Sequence, residues 1–120
     1  MAARILVVED STLVTDAFTV LFRQAGYDVE IAASVAEAIE LGSASTIDIM
    51  LLDLSLPDGS GLDVLETLRA RGRAPHATLA MTGHDDSKTR RACLDAGCAD
   101  VLVKPVPIGE LLRQIERRLA

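Results

Sequence analysis

The chain alternates between short apolar runs and longer stretches in which apolar residues recur every three or four positions. Short apolar runs bounded by turn residues are typical of buried strands, whereas the longer spacing is typical of amphipathic helices. The pattern predicts five strands and five helices in strict alternation. The predicted strands are 4–8, 28–32, 47–52, 78–81 and 100–103. The predicted helices are 14–25, 35–41, 61–71, a fourth that follows Asp85-Asp86-Ser87 and ends at Ala96, and a fifth that begins near Pro107.

This alternation, with short connections throughout, predicts one α/β domain that occupies residues 1–120. Parallel strands joined by right-handed crossovers place helices on both faces of a sheet. Residues 47–52 are almost entirely apolar, as expected for a strand that is buried on both faces. We therefore expect a doubly wound five-stranded parallel sheet, with no repeat beyond the βα unit.

Composition narrows the class of protein without changing the predicted fold. Hydrophobic residues make up 49% of the chain, which suffices for one core, and the scarcity of aromatic residues disfavours stacking on nucleic-acid bases. The formal net charge of −6 disfavours binding to DNA or to anionic membranes.

Cys93 and Cys98 lack a metal-ligand spacing and are expected to be reduced core thiols. Without a membrane-spanning run or a signal-peptide pattern, we expect a cytoplasmic protein.

Polar side chains follow four of the five predicted strands. In doubly wound sheets, ligands bind at the carboxyl ends of the strands, so these residues are candidates for a common site. Clustered carboxylates repel one another unless a hard divalent cation lies among them, and Mg²⁺ prefers such oxygen ligands. One Mg²⁺ and one lysine would neutralise three carboxylates. The residues are Glu9 and Asp10 after the first strand, Asp53 after the third, Thr82 after the fourth and Lys104 after the fifth.

Each of these residues taken alone has a simpler interpretation. Glu9, Asp10 and Ser11 could serve only as helix caps, since acidic and hydroxyl side chains favour that position. Lys104 could be a solvated charge at the end of a strand. The occurrence of all of them at strand ends favours a shared site over several unrelated ones.

The chain resembles the response-regulator receiver domains of two-component signalling over essentially its whole length. The resemblance implies the flavodoxin-like strand order 2-1-3-4-5 and a phosphorylation-dependent regulatory switch, which is not an enzyme beyond its own phosphorylation and slow autodephosphorylation. The matching residues are the acidic pair Glu9-Asp10, Asp53, Pro57, Gly61, Thr82 with its small neighbour Gly83, and the Lys104-Pro105 dipeptide.

The resemblance also implies a role for each site residue. Asp53 would accept a phosphoryl group from a phosphohistidine, and Lys104 would stabilise the charge that spreads during transfer. Mg²⁺ would be bound directly by Asp10 and Asp53, through water by Glu9, and by the backbone carbonyl of Ser55. Thr82 would then hydrogen-bond the phosphoryl group and move its loop inward.

The sequence departs from the family at several positions. Val101 stands where most members have Tyr or Phe, and a valine cannot make the same rotamer change because it is stiff at χ1. Ser55 and His84 occupy positions that tune phosphoryl lifetime in the family, so we hypothesise that they set the autodephosphorylation rate; the alternative is that His84 is an ordinary exposed loop residue. The family usually has a cis peptide before Pro105, but the sequence leaves its isomer open.

The first helix carries two apolar residues, Leu13 and Val20, far from the centre of its predicted core face of Val14, Ala17, Phe18, Leu21 and Phe22. We expect Leu13 and Val20 to dock a sensor histidine kinase or a histidine phosphotransfer protein; the alternative is that the fifth helix covers them. A downstream target would be another protein.

The leading interpretation is a stand-alone receiver without an output domain, and the alternative is a fragment of a larger transcription factor or hybrid histidine kinase. Two further classes are disfavoured. A phosphatase of the dehalogenase type needs an acid two residues after its nucleophile, where this chain has Ser55. A degenerate receiver would lack Asp53, Lys104 or the acidic pair.

Overall fold

The computed structural model describes residues 2–120, which form seven strands and five helices. The strands are β1 (Arg4–Val8), β2 (Asp28–Ala32), β3 (Ile49–Asp53), β4 (Ser55–Leu56), β5 (Gly59–Ser60), β6 (Ala77–Thr82) and β7 (Asp100–Val103). The helices are α1 (Thr12–Gln24), α2 (Val35–Ala44), α3 (Gly61–Ala70), α4 (Ser87–Ala96) and α5 (Ile108–Leu119).

Five of the strands form one parallel sheet in the order β2-β1-β3-β6-β7. These are the five strands predicted from the apolar runs, so the predicted doubly wound fold and strand order 2-1-3-4-5 are confirmed. All five residues of the central strand β3 are buried, because helices cover both faces of the sheet. Leu6 and Met50 pack into the core on one face, while Ile5 and Ile49 pack into the core on the other.

The short strands β4 and β5 form an antiparallel hairpin that was not predicted. Its two-residue connection is Pro57-Asp58, and proline at the first central position of a turn is favoured because its φ is fixed. The hairpin begins two residues after Asp53, which is the last residue of β3 rather than the first residue after it. The backbone that leaves the central strand is therefore ordered by its own hydrogen-bonded pairing.

Helix α2 continues three residues beyond the predicted end at residue 41. A glycine directly after such a segment is typical of a helix end, but Gly42 lies inside α2, where a Cβ atom would come within 2.7 Å of Leu68 Cδ1. The glycine therefore permits close packing of α2 on α3. In α1, Thr15 and Phe22 are buried but Ala17 is exposed, so the expected placement of Ala17 in the core was wrong.

Candidate functional site

The sheet brings Glu9, Asp53, Thr82 and Lys104 together at the carboxyl ends of β1, β3, β6 and β7. Asp53 is paired with Met81 in the β3–β6 ladder, and Thr82 is paired with Val103 in the β6–β7 ladder. The Lys104 amide donates a hydrogen bond to the Thr82 carbonyl oxygen at 2.7 Å. These pairings fix the residues at one edge, as the position of ligand sites in doubly wound sheets leads one to expect.

The Lys104 ammonium group bridges two buried carboxylates. Its Nζ donates to Asp53 Oδ2 at 2.9 Å and to Glu9 Oε2 at 3.0 Å. Glu9 is only 4% exposed and Asp53 only 5% exposed. Because buried carboxylates require a partner, this geometry contradicts the interpretation of Lys104 as a solvated strand-end charge. Glu9 also accepts a hydrogen bond from the Ser11 amide at 3.3 Å beside the start of α1, and its ion pair with Lys104 shows that it does more than cap a helix.

The ionisation of the three groups follows from these contacts. Burial raises the pKa of Glu9, and its contact with the Asp53 carboxylate raises it further, against the opposing effect of Lys104. Burial also acts to raise the pKa of Asp53, but hydrogen bonds with Glu9, Lys104 and the Ser55 amide outweigh it and leave that pKa lowered. Burial acts to lower the pKa of Lys104, but the two carboxylates raise it above its usual value. Asp53 is therefore the carboxylate that this environment keeps ionised.

Asp10 completes a cluster of three acids, in which one carboxylate oxygen each of Glu9, Asp10 and Asp53 lies within 4.8 Å of the other two. Glu9 and Asp53 are buried, whereas Asp10 is exposed and opens the cluster to solvent. Three hard oxygen donors so close together fit the ligand preference of Mg²⁺. The Ser55 amide donates to Asp53 Oδ1 at 3.1 Å, which fixes the peptide of Ser55 beside the cluster.

Thr82 is buried at the end of β6, and its hydroxyl oxygen accepts a hydrogen bond from the His84 amide at 3.1 Å. The hydroxyl retains its own proton, so it can donate to another acceptor. His84 is exposed in the loop between β6 and α4. The hydrogen bond to Thr82 comes from its backbone amide and not from its ring.

Three backbone features shape the same edge of the sheet. A Cβ atom at Gly61 would overlap the Asp53 carbonyl oxygen, so this position requires glycine. The Gly61 amide donates to the Leu54 carbonyl oxygen at 3.0 Å, which closes the hairpin segment onto β3. The Lys104-Pro105 peptide, which the sequence left open, is cis. Val101 in β7 is buried at 5% exposure.

One functional candidate, Asp58, was not identified from the sequence. Its two carboxylate oxygens accept hydrogen bonds from the Val35 and Ala36 amides at 2.7 and 3.1 Å. The Pro-Asp-Gly sequence signals a turn, but no local pattern indicates that its acid reaches a helix more than 20 residues away.

Two exposed apolar residues distinguish the surface of α1. Leu13 is 84% exposed and Val20 is 56% exposed, so the alternative in which α5 covers them is wrong. Leu13 borders an apolar groove of about 470 Å³ that reaches the side chain of Lys104, whereas Val20 lies outside it. The groove is lined by Leu13, Val14, Ala17, Phe18, Met81, Lys104, Pro105 and Val106.

The two cysteines are free and buried away from the acidic cluster, in the core on the α2 and α3 side of the sheet. Among residues 2–120, no helix is both long enough and apolar enough to cross a membrane.

Comparison with protein-family models matches residues 5–116 to the response regulator receiver domain. Among curated proteins, the chain is 36% identical over 119 residues to the response regulator MprA of Mycobacterium ulcerans. That alignment covers 99% of this chain but 51% of MprA, so the chain spans about half the length of this relative.

Two solved structures are informative about the site. The receiver domain of the sensor histidine kinase PA1611 from Pseudomonas aeruginosa, solved with a magnesium ion in its active-site cleft, has a TM-score of 0.88 at 28% identity, covering 99% of this chain and 98% of that one. A second similar structure is the co-crystal structure of the Saccharomyces cerevisiae histidine phosphotransfer protein Ypd1 with the receiver domain of its downstream response regulator Ssk1. The match has a TM-score of 0.87 at 25% identity and covers 95% of this chain and 86% of the matched chain.

Proposed function

This chain belongs to the response regulator receiver domain family, and we propose from that premise that Asp53 accepts a phosphoryl group from a phosphohistidine. The observation that carries the proposal is the environment of Asp53. Its carboxylate is buried, kept ionised by hydrogen bonds with Glu9, Lys104 and the Ser55 amide, and placed next to an exposed acid. A carboxylate is a weak nucleophile, so it needs an electrostatic environment that accepts an incoming phosphoryl group.

In this reaction an Asp53 oxygen attacks phosphorus in line with the phosphorus–nitrogen bond of the donor. The new phosphorus–oxygen bond gives an acyl phosphate, and the bonding pair of the broken bond returns to the imidazole nitrogen. Lys104 remains close enough to neutralise the spreading negative charge. Glu9, Asp10 and Asp53 would hold Mg²⁺, which offsets the charge of the phosphoryl oxygens.

Thr82 provides the response to phosphorylation. Its hydroxyl proton can be donated to a phosphoryl oxygen on Asp53, and because its oxygen accepts a hydrogen bond from the His84 amide, a shift of Thr82 towards Asp53 acts directly on the backbone of that loop. The loop after β6 therefore changes position when the phosphoryl group arrives. This gives the two states of a signalling switch.

The direct test is incubation with acetyl phosphate and Mg²⁺, followed by intact-mass measurement. We expect the added mass of one phosphoryl group on the parent protein and none on Asp53→Asn. Asp16→Asn is the matched control, because it removes an exposed acid of α1 outside the cluster. Equal labelling of the parent and Asp53→Asn, or no labelling of either, would contradict the assignment.

The proposed donor is a sensor histidine kinase or a histidine phosphotransfer protein that docks an apolar helix on α1. The groove supports this choice because exposed Leu13 and Lys104 both line it and Lys104 contacts Asp53, so a helix bound there lies close to the phosphoacceptor. Leu13→Ser with Val20→Ser should slow transfer from the cognate donor and leave phosphorylation by acetyl phosphate unchanged. Because only Leu13 borders the groove, its single variant should account for most of the loss. Equal slowing with both donors would exclude docking at this surface.

Ser55 and His84 are proposed to set the lifetime of the phosphoryl group. Both are exposed and flank the site, His84 in the loop after Thr82 and Ser55 two residues after Asp53. The measurement is the decay rate of phosphorylated protein for Ser55→Ala, His84→Ala and the double variant. Decay at the parent rate in all three would remove the hypothesis.

The length of the relatives favours a second candidate, in which this domain is the receiver part of a longer regulator. MprA is about twice as long as the matched segment. In either case we propose a cytoplasmic regulatory domain that passes its signal by protein contact or phosphotransfer, rather than an enzyme acting on a separate substrate. The reading frame of the source gene distinguishes the stand-alone receiver from the longer regulator.

A further inference from the structure

The hairpin that follows Asp53 is attached to the rest of the domain by the side chain of Asp58. Both Asp58 oxygens accept hydrogen bonds from the first turn of α2, at 2.7 Å from the Val35 amide and 3.1 Å from the Ala36 amide. The first amides of a helix have no partner within the helix, so they bind strongly to a carboxylate. Asp58 thus caps a helix from a distant loop.

The other capping contacts of α2 come from residues next to the helix itself. Ser34 Oγ accepts a hydrogen bond from the Glu37 amide at 3.2 Å, and Glu37 Oε1 accepts one from the Ala33 amide at 3.2 Å. These contacts stabilise the start of α2 without touching the hairpin. The two kinds of cap can therefore be separated by substitution.

The hairpin needs an anchor because it is small and exposed. Its two strands are two residues each, and an isolated hairpin of this size is unstable in water. Of its residues, Leu56 alone is partly buried, against the core under α2 and α3. Leu56 is thus one attachment point of the hairpin, and the Asp58 side chain, in the turn between the two strands, is a second.

The position of the hairpin affects the site directly. Ser55, in the first strand of the hairpin, donates its amide to Asp53 Oδ1 and pairs with Ser60. A displacement of the hairpin therefore changes both the hydrogen bonding of the Asp53 carboxylate and the position of the Ser55 peptide. Mg²⁺ requires near-ideal octahedral geometry, so a site that holds it tolerates little displacement of its ligands.

We propose that Asp58 is a positioning residue for the Asp53 site: by binding the amino end of α2, it holds the hairpin so that the Ser55 peptide stays fixed beside the Asp53 carboxylate. This inference rests on the proposed function, since it concerns the same phosphoacceptor site. In this proposal Asp58 contacts neither the phosphoryl group nor the metal, and it acts on the site through the backbone of its own hairpin.

The experiment compares Asp58→Ala with Ser34→Ala, which weakens the same end of α2 and leaves the hairpin contact intact. Two quantities are measured by NMR without any phosphodonor: the amide exchange rates of Ser55 and Gly61 in metal-free protein, and the dissociation constant for Mg²⁺. Asp58→Ala should raise both the exchange rates and the dissociation constant, the latter by a factor of about 10, the lower end of the range for residues that orient metal ligands. Ser34→Ala should leave both within a factor of about two.

A conservative variant separates positioning from a general loss of stability. Asp58→Asn keeps one carbonyl oxygen for one of the two amides, so its Mg²⁺ affinity should lie between those of the parent and Asp58→Ala. Amide exchange in β3 serves as an internal reference for global unfolding. At saturating Mg²⁺, the rate of acetyl phosphate labelling of Asp58→Ala should return towards that of the parent.

The outcomes that overturn the inference are distinct from those that overturn the proposed function. Parent affinity for Mg²⁺ in Asp58→Ala, or equal weakening in Ser34→Ala, would assign the contact to helix stability alone. Absence of an Asp53-dependent phosphoryl adduct in the parent protein would instead overturn the proposed function. The exchange measurement on metal-free protein would still report whether Asp58 holds the hairpin.

Discussion

Substitution of Asp10 tests whether the carboxylates of the acidic cluster repel one another in the metal-free protein. It is the exposed member of the cluster, and within residues 2–120 no side-chain hydrogen bond of its carboxylate is found. Asp10→Asn therefore removes one negative charge, keeps the shape of the side chain and breaks no internal contact. Its effect on the free energy of unfolding should reflect electrostatics alone.

The magnitude follows from the spacing of the cluster. Two unit charges 4.8 Å apart, the upper limit of the spacing here, repel by about 0.9 kcal/mol in the dielectric of water and about 3.5 kcal/mol at an effective dielectric constant of 20. Because Asp10 is exposed, the lower figure is the better guide for each of its two neighbours. Attraction to Lys104 offsets part of the sum. We expect Asp10→Asn to stabilise the metal-free protein by about 1 kcal/mol, which raises Tm by about 3 to 5 °C.

Adding Mg²⁺ should reverse the order of stability. A ligand that binds only the folded state stabilises it by about 2.7 kcal/mol at a concentration 100 times its dissociation constant. The variant has lost one of the proposed ligands, so it should gain much less than the parent. The assay is urea unfolding followed by circular dichroism, first in EDTA and then in excess Mg²⁺.

Asp16→Asn provides the control, because Asp16 is exposed on α1 but is not a member of the cluster. It should change stability little in either buffer. If Asp10→Asn is less stable than the parent in EDTA, or if it gains as much from Mg²⁺ as the parent does, the electrostatic reasoning is refuted.

Three further predictions concern other parts of the fold. Gly61→Ala should lower the free energy of unfolding in urea by about 1 to 3 kcal/mol, because the added Cβ overlaps the Asp53 carbonyl oxygen. Gly109→Ala in α5 is the control and should be neutral or slightly stabilising. Equal effects of the two substitutions would contradict this prediction. Hydrogen bonds from the first turn of α4 lower the pKa of Asp86, so its stabilising effect is complete above about pH 4 and is lost as the pH falls through the lowered pKa. Asp86→Asn should therefore be destabilising near neutral pH and lose that effect in acid, and a constant difference in unfolding free energy would argue otherwise. Burial raises the pKa of Cys98 to about 12, so at pH 8 its thiolate fraction is about a thousandfold below that of a free cysteine; a thiol reagent should label it only on unfolding, and rapid native labelling would contradict its burial.

The sequence was sufficient to predict the sheet and the residues at its carboxyl edge. Parallel strands buried on both faces are continuous apolar runs, so their ends can be located from the pattern alone. Glu9, Asp53, Thr82 and Lys104 could be grouped because the topology of a doubly wound sheet brings those ends to one edge. No side-chain detail was needed for that step.

The features that were missed depend on contacts between segments distant in sequence. Gly42 is typical of a helix end, and only the proximity of Leu68 explains its place inside α2. Asp58 is typical of a turn, and only the packing of the hairpin against α2 gives its carboxylate two amides to bind. Local propensity cannot anticipate such partners, because they are determined by tertiary packing.

Val101 is expected to affect how the proposed phosphorylation of Asp53 is transmitted through the domain. Its side chain is buried and stiff at χ1, so it cannot make the rotamer change that is available to an aromatic ring. The direct contact of the Thr82 hydroxyl is with the His84 amide, in a loop that leads into α4, whose only buried side chain is Cys93. A helix with so little buried surface is easily displaced. We therefore expect beryllofluoride with Mg²⁺ to shift the amide NMR signals of residues 83–87 and the first turn of α4 more than that of Val101. Larger shifts in β7 than in this loop would contradict the reasoning, because they would require a route that bypasses the contact between Thr82 and His84.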